Sequence, residues 1–188
     1  QRAELVHTQD ERGATALHSA AYTGHAAVVK ALVAAGANVH SRTDDGDTVL
    51  HCAATQGHAG AVKALVGLGA DVHAQTGNGF TALHDAAQRG HVEVAKALVA
   101  LGAELNMQGD SDGCVLHIAT LGGNVEMVKV LVELGADVHA KEKDGFTALH
   151  HAGMEGHAAV VRVLVGLGAS VHDRQQNGAT ALHLAAQH

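Results

Sequence analysis

The chain has 188 residues, of which 47% are hydrophobic but only 2% are aromatic, and its formal net charge at pH 7 is −7. This excess of acidic residues argues against nucleic acid or an anionic membrane as the primary partner. No apolar stretch approaches the roughly 18 residues that a membrane-spanning helix needs. Because rings are so rare, the core must consist of small aliphatic side chains packed between thin layers.

Six histidines recur at an unbroken spacing of 33 residues, which indicates a stacked repeat array. They are His18, His51, His84, His117, His150 and His183. Residues 13–21 read GATALHSAA, residues 24–25 GH, residues 28–33 VVKALV and residues 36–40 GANVH, and some fifteen of these positions recur in five copies. This line closely resembles the ankyrin repeat, G-x-TPLH-x-AA-xx-GH-xx-VV-xx-LL-xx-GA-x-VN.

The resemblance covers almost the whole chain and implies a fold and a division into repeats. The implied fold class is an all-α ankyrin-repeat solenoid of stacked helix-turn-helix units with projecting β-turn fingers. We expect a single array over residues 1–188, with full repeats at 10–42, 43–75, 76–108, 109–141 and 142–174. Residues 1–9 match the end of a preceding repeat, and residues 175–188 match the first half of a sixth. Neither end looks like a polar capping repeat, so we expect part of a longer chain or of a larger complex.

Local sequence signals predict how each repeat begins and ends its helices. Thr15 is the expected N-cap of the first helix, with His18 at position N3. Gly24 and Gly36 are expected at the left-handed positions that end the first and second helices. The chain contains no proline, so the usual proline at the first helical position is missing, although the helix does not require it.

The fourth repeat departs furthest from the pattern and is the predicted soft joint of the array. Asp112 takes the slot of the finger glycine, Gly113 comes one place late and Cys114 replaces the capping threonine. Simple drift in one copy would give the same pattern. Cys114 and Cys52 sit at different points of the repeat, so we expect free thiols in an intracellular, reducing compartment rather than a disulfide.

The 17 histidines could suggest a metal site, but most of them fall into three ladders that repeat along the array. One ladder is the set named above, a second follows the inter-helix glycine, and a third lies in the fingers. Packed helices are about 8–10 Å apart, whereas zinc ligands lie about 2.0–2.1 Å from the metal. Members of a ladder therefore cannot share an ion. The resemblance implies that the first two ladders hydrogen-bond to backbone, and we expect no cofactor and no metal.

The resemblance implies a recognition surface formed by residues that flank the finger glycine and by the two residues before the inter-helix glycine, on a concave face. The predicted protein-binding residues on these slots are Arg12, Tyr22, Asp44, Asp45, Asp47, Phe80, Gln88, Arg89, Leu121, Lys143, Phe146, Met154 and Glu155. The three aromatic residues of the chain all fall among them, and aromatic side chains are enriched at binding hot spots. Asp110 and Asp112 extend the acidic character of the second finger. Chance placement of three rings is the competing explanation.

The sequence therefore predicts a non-enzymatic protein-protein interaction module, since no acid, base and nucleophile recur together. The expected partner is a protein or peptide with apolar side chains flanked by Lys or Arg, and we expect neither nucleic acid binding nor membrane insertion. A structural spacer or regulatory arm of a larger protein is the first alternative, and a histidine-based metal binder is the second. A basic row on the outer face is expected to be a solvated surface or, alternatively, a contact with acidic groups or lipid headgroups; it consists of Lys30, Lys63, Lys96, Lys129 and Arg162.

Overall fold

The computed structural model describes residues 5–108 and 113–186, and within these ranges the chain is helical. A short 3₁₀ helix spans Leu5–His7. The α-helices are α1 (Ala16–Tyr22), α2 (Ala26–Ala34), α3 (Val49–Thr55), α4 (Ala59–Gly67), α5 (Ala82–Arg89), α6 (Val92–Ala100), α7 (Val115–Leu121), α8 (Val125–Glu133), α9 (Ala148–Met154), α10 (Ala158–Gly166) and α11 (Ala181–Ala185). Asp110 and Asp112 lie outside the described residues, and so does the predicted irregularity at the fourth finger glycine.

Contacts between Cα atoms divide the chain into two compact units. The first unit comprises Gln1–Ala86 and Glu93–Glu104, and the second comprises Ala87–Val92 and Leu105–His188. In the first unit α1 packs against α2 and α3, and α4 packs against α2 and α3. In the second unit α9 packs against α7, α10 and α11, and α8 packs against α7 and α10. Each unit is therefore a stack of paired helices.

The first helix of each pair begins at the predicted capping residue. Thr48 has an extended backbone (φ −90°, ψ 166°), and its side chain accepts a hydrogen bond from the backbone N–H of His51. Thr15 precedes α1 with a similar extended backbone (φ −98°, ψ 170°), and its backbone N–H donates to His18 Nδ1 at 3.1 Å. Cys114 takes this position before α7, and its backbone N–H donates to His117 Nδ1 at 3.2 Å. The repeat with the replaced cap therefore keeps the hydrogen bond that the histidine supplies.

The position that ends the first helix requires glycine for two separate physical reasons. Gly24 has φ +77°, the left-handed conformation that side chains rarely adopt. In addition, a Cβ atom at this position would lie 2.5 Å from the imidazole of His58 in the following repeat. The Gly-His pair of the repeat is thus a steric unit, because the glycine leaves room for the histidine that follows it 34 residues later.

The core of each unit consists of aliphatic residues contributed by both helices of every pair. In the first unit Leu17, Leu50 and Leu65 are fully or almost fully buried. In the second unit Leu116 and Leu149 hold equivalent positions. Burying one such side chain contributes about 1.5–3 kcal/mol, so thin layers can be stable without large rings. Both cysteines are free thiols, as the sequence predicts.

Neighbouring fingers are joined through their backbones. In the first unit the N–H of Asp44 donates to the carbonyl of Arg12 at 2.9 Å. In the second unit the N–H of Gln176 donates to the carbonyl of Asp144 at 3.0 Å, one repeat apart in the same register. These bonds hold neighbouring fingers of a unit in a common register.

Two lysines of the basic row form ion pairs within their own helices. Lys96 Nζ lies 3.3 Å from Glu93, and Lys129 Nζ lies 4.0 Å from Glu126. Both pairs are exposed and add little to stability. Among the helices that the structure describes, none is long and apolar enough to cross a membrane.

Two glycine-to-alanine substitutions should have opposite effects on stability. A Cβ at Gly153 would lie 2.6 Å from the carbonyl oxygen of Ala181, so Gly153→Ala should push α11 away from α9 and cost about 1–3 kcal/mol. A Cβ at Gly60, near the start of α4, would meet nothing within 4 Å. Gly60→Ala should therefore stabilise by about 0.5–1 kcal/mol. The free energy of unfolding in urea checks both values, and equal changes in the two variants would contradict the packing described for α9 and α11.

Candidate functional site

The histidines of the first ladder make structural contacts, and at His51 and His150 the imidazole joins its own helix to the following finger. His51 Nδ1 accepts hydrogen bonds from the backbone N–H (3.2 Å) and the hydroxyl (2.7 Å) of Thr48. Its Nε2–H donates to the carbonyl of Phe80 at 3.0 Å. His150 repeats this arrangement in the second unit, with Nε2 3.3 Å from the carbonyl of Ala179. The predicted backbone hydrogen bonds of this ladder are confirmed at these positions.

The second ladder fixes the end of the preceding first helix. His58 Nε2 donates to the carbonyl of Tyr22 at 3.0 Å, and His157 Nε2 donates to the carbonyl of Leu121 at 3.2 Å. These bonds use only the backbone of Tyr22 and Leu121. The side chains of both residues are left available for contacts outside the repeat.

Burial controls the protonation of the first ladder. The pKa values of four ladder imidazoles are lowered, and the largest cause at each is burial, which disfavours the charged ring; carbonyl groups and nearby carboxylates partly offset it. These residues are His18, His51, His117 and His150. The hydrogen bonds of His51 and His150 require an acceptor Nδ1, which agrees with a neutral ring.

In the first unit, an exposed aromatic side chain borders a surface groove. Tyr22, the last residue of α1, is 54% exposed. The groove beside it has a volume of about 380 Å³, and its walls include Arg12, Ser19, Thr23 and Cys52. Burial raises the pKa of the Cys52 thiol to about 12, so this cysteine is a neutral, unreactive part of the wall.

The acidic second finger lies in the same unit. Asp44 and Asp45 are exposed and form no ion pair within the described residues, whereas Asp47 is half-buried. Asp10, in the preceding finger, caps its own turn by accepting hydrogen bonds from the backbone N–H groups of Arg12 and Ala14 at 2.9 Å. These backbone hydrogen bonds lower its pKa. Asp10 therefore stays charged, and it adds to the negative charge of Asp44 and Asp45, for which the described residues provide no ion pair.

Phe80 and Phe146 contact the histidine ladder, unlike Tyr22. The Phe80 ring stacks on His84 with centroids 5.2 Å apart and an interplanar angle of 10°. The Phe146 ring lies 5.8 Å from His150 and 5.3 Å from His151. Both phenylalanines are half-buried. Two of the three aromatic residues thus have intramolecular contacts that the sequence analysis did not anticipate.

The remaining predicted binding residues lie in the second unit. Leu121 is 39% exposed at the end of α7. Met154 at the end of α9 is half-buried. The other four are exposed and polar: Gln88, Arg89, Lys143 and Glu155. This unit therefore presents an exposed apolar side chain and exposed charges of both signs.

The sequence analysis missed a buried ionisable pair in the second unit. His151 Nε2 lies 3.1 Å from Glu142 Oε1, with side chains only 10% and 17% exposed. The signal available in the sequence was the variability of the slot after each ladder histidine, which holds Ser19, Cys52, Asp85, Ile118 and His151 in turn. Nothing in a single chain indicates which of these side chains finds a partner.

No group of three or more His, Cys, Asp or Glu side chains in residues 5–108 and 113–186 is arranged to hold a metal ion. A repeat contributes at most one exposed finger histidine, and the two in the first unit are His40 and His73. Their backbone N–H groups are bound by the side chains of Asn38 and Asp71. This part of the chain offers no convergent ligand set of the kind that zinc requires.

Helix pairs that end in left-handed glycines, linked by hydrogen-bonded fingers and imidazole bridges, define the chain as a helical-repeat protein. The chain belongs to the ankyrin repeat family: the family model for ankyrin repeats matches it in three copies, at residues 3–76, 58–142 and 116–188. The predicted family and the all-α ankyrin-repeat solenoid fold are both confirmed.

A solved structure extends this similarity to the fold of almost the whole chain. It is the crystal structure of the ankyrin repeat domain of Bcl-3, described as a unique member of the IkappaB protein family. That domain is 30% identical, the match covers 96% of this chain and 81% of the other, and the TM-score is 0.87. No curated protein sequence matches the chain. The ankyrin repeat is a protein-protein interaction fold and is generally non-catalytic.

Acid should destabilise the folded chain through the buried ladder histidines. Because the folded pKa values lie below the unfolded value of about 6.5, the unfolded chain binds more protons as the pH falls. The stabilisation is complete above about pH 7, and each unit of pKa difference removes about 1.4 kcal/mol as the pH falls through 6.5 towards the folded values. Urea unfolding at about pH 7.5 and 5 measures it. An unchanged free energy of unfolding would show that the imidazoles are equally accessible in both states.

Proposed function

We propose that the chain is a non-enzymatic, intracellular module that binds another protein through residues which the ankyrin fold does not require. The proposed binding residues are those that the sequence predicts: Arg12, Tyr22, Asp44, Asp45, Asp47, Phe80, Gln88, Arg89, Leu121, Lys143, Phe146, Met154 and Glu155. The repeats are proposed to form a single array with the boundaries given above. Within this set we assign the leading role to Tyr22 and the acidic second finger of the first unit.

The observation that carries this proposal is the exposure of Tyr22. Phe80, the other aromatic residue of the first unit, is half-buried against His84, whereas 54% of Tyr22 faces solvent beside a groove of about 380 Å³. Its carbonyl holds the repeat together through His58, but the fold makes no comparable use of its ring. Tyrosine is among the residue types that dominate binding energy when a partner covers them. A ring kept exposed in a chain with three aromatic residues is best explained by recognition.

Charge defines the kind of partner. Asp44 and Asp45 are exposed and unneutralised, and the whole chain carries a formal charge of −7. The proposed partner is therefore a protein or peptide that inserts an apolar side chain beside Tyr22 and places Lys or Arg near the finger. Such charge complementarity mainly accelerates association and selects the partner. Salt should weaken the complex by screening these charges.

Tyr22→Ala should weaken binding without affecting the fold. Replacement of an aromatic hot spot typically costs about 2 kcal/mol or more, which is roughly thirtyfold in affinity. Peptides selected from a displayed random library on the intact chain provide the ligands, and titration calorimetry measures their affinity for each variant. The substitution Asp44→Asn with Asp45→Asn should lower affinity for the same peptides and reduce the salt dependence.

Lys30→Ala is the matched control, because Lys30 is also exposed in the first unit but lies on α2. It should leave peptide affinity unchanged. Peptides whose affinity depends on Lys30 and not on Tyr22 would move the interface to the outer face. Failure to select any peptide that distinguishes the Tyr22→Ala variant would contradict the proposed surface and favour the spacer alternative.

A further inference from the structure

The pair formed by Glu142 and His151 occurs in one repeat only. The slot of Glu142 holds Asp10, Thr43 and Thr76 in the first three repeats, and there the side chain caps its own finger. Thr43 Oγ1 accepts from the N–H of Asp47, and Thr76 Oγ1 accepts from the N–H of Phe80, both at 3.2 Å. Glu142 instead directs its carboxylate to the helix behind the finger.

The contact between the two side chains is electrostatic and shielded from water. His151 Nε2 and Glu142 Oε1 are 3.1 Å apart, and although burial raises the pKa of Glu142, this contact lowers it. His151 Nδ1 is buried and has no hydrogen-bond partner. A carboxylate attracts a charged imidazole more strongly than a neutral one, so the strength of the contact depends on whether the ring carries a charge.

The ring of Phe146, at the other end of the same finger, also contacts the ring of His151. The ring centroids are 5.3 Å apart, within the distance at which an aromatic face attracts a cation. The finger is closed by hydrogen bonds from Glu142 N–H to the Phe146 carbonyl and from Gly145 N–H to the Glu142 carbonyl, both 2.9 Å. A protonated His151 would therefore hold both ends of one rigid turn.

Burial and charge shift the pKa values of the other titratable groups around His151. His117 on α7 lies 5.7 Å away, and its pKa is lowered, first by burial and further by His151, although Glu142 opposes this. Burial raises the pKa of Glu142, but the His151 and His117 rings lower it more. Burial also lowers the pKa of His150 and raises that of Cys114, so both stay neutral. Asp173, in the next finger, acts on His150.

The histidine ladder is altered at the same place. His51 and His150 donate to the carbonyl 29 residues later, whereas His117 Nε2 lies 3.2 Å from the carbonyl of Ala140, 23 residues later. At His117 the imidazole therefore contacts a different carbonyl from the one that His51 and His150 use, and this difference occurs in the repeat that precedes Glu142. A second attachment between the finger and α9 is supplied by the pair itself.

We propose that Glu142 and His151 form a proton-operated latch, which fastens the finger of residues 142–146 to α9 when His151 is protonated and releases it when the proton is lost. Imidazole is the side chain whose charge changes in the physiological pH range. The carboxylate with the lowered pKa stays charged throughout that range, so the histidine is the switch. The latch would make the order of this one finger depend on pH, whatever the chain binds.

Amide hydrogen exchange of the whole chain tests the latch between about pH 6 and 8.5, after correction for intrinsic exchange rates. Protection of the Glu142 and Gly145 amides should fall as the pH rises, about tenfold for each pKa unit of coupling between the finger and His151. The amides of Thr76 and Gly79 are the internal control, because they make the same turn without the pair. Their protection should not fall over this range.

Two variants separate the latch from a general effect of pH. Glu142→Gln keeps the size of the side chain, and His151→Ile introduces the residue that Ile118 provides at the same slot of the preceding repeat. Either substitution should abolish the pH dependence of the finger amides, and Glu142→Gln suffices if the other variant does not fold. Parallel changes in the two fingers, a pH-independent second-unit finger, or persistence of the effect in Glu142→Gln would each overturn the proposal.

Discussion

Helix pairs in both units depend on a buried ladder imidazole, and His51 and His150 form hydrogen bonds with both of their ring nitrogen atoms. At His51 one nitrogen accepts from the capping Thr48, and the other donates to the carbonyl of Phe80. The start of a short helix and the position of the following finger are thereby fixed by a single buried ring. Helices of seven residues are far too short to be stable alone. Their order must come from such contacts and from packing against neighbours.

This arrangement separates structural from variable positions with unusual clarity. The repeat fold itself uses the glycines, the capping threonines, the first two histidine ladders and the buried aliphatic residues. What remains is a limited set of side chains on the fingers and at the end of the first helix. Tyr22, Asp44 and Asp45 belong to that set in the first unit, and Leu121 belongs to it in the second. Function in such a protein is therefore sought at these positions and not in the buried polar network.

Much of the fold could be predicted because the signals are local and repeat six times. Thr15, Gly24 and His18 each have a role that follows from backbone geometry within one or two turns of chain. The contacts of variable residues could not be predicted in this way. Phe80 and Phe146 are predicted to bind a partner, and the sequence gives no sign that each ring also lies against a histidine. Which neighbour a half-buried ring selects depends on side-chain packing in three dimensions, and one sequence does not encode it as a pattern.

The same reason explains why Glu142 and His151 escaped the sequence analysis. Each residue alone is an ordinary substitution at a variable slot, and only their approach in space makes them a pair. Asn124 is a smaller example, because it replaces the usual histidine of the repeat and its side chain accepts from the N–H of Met127 at 3.2 Å. The fourth repeat, predicted to be the weakest copy, thus has a side-chain helix cap at a position where His58 and His157 provide none.

The measurement that tests this account most directly is the tautomer of the ladder histidines, read from imidazole nitrogen chemical shifts in the intact chain near neutral pH. The hydrogen bonds described here require His51 and His150 to be neutral, with the proton on Nε2 and an unprotonated Nδ1. Spectra that show this tautomer at both rings would establish the bridge between cap and finger. A protonated Nδ1 at either ring would contradict it, because the capping N–H would then face another donor.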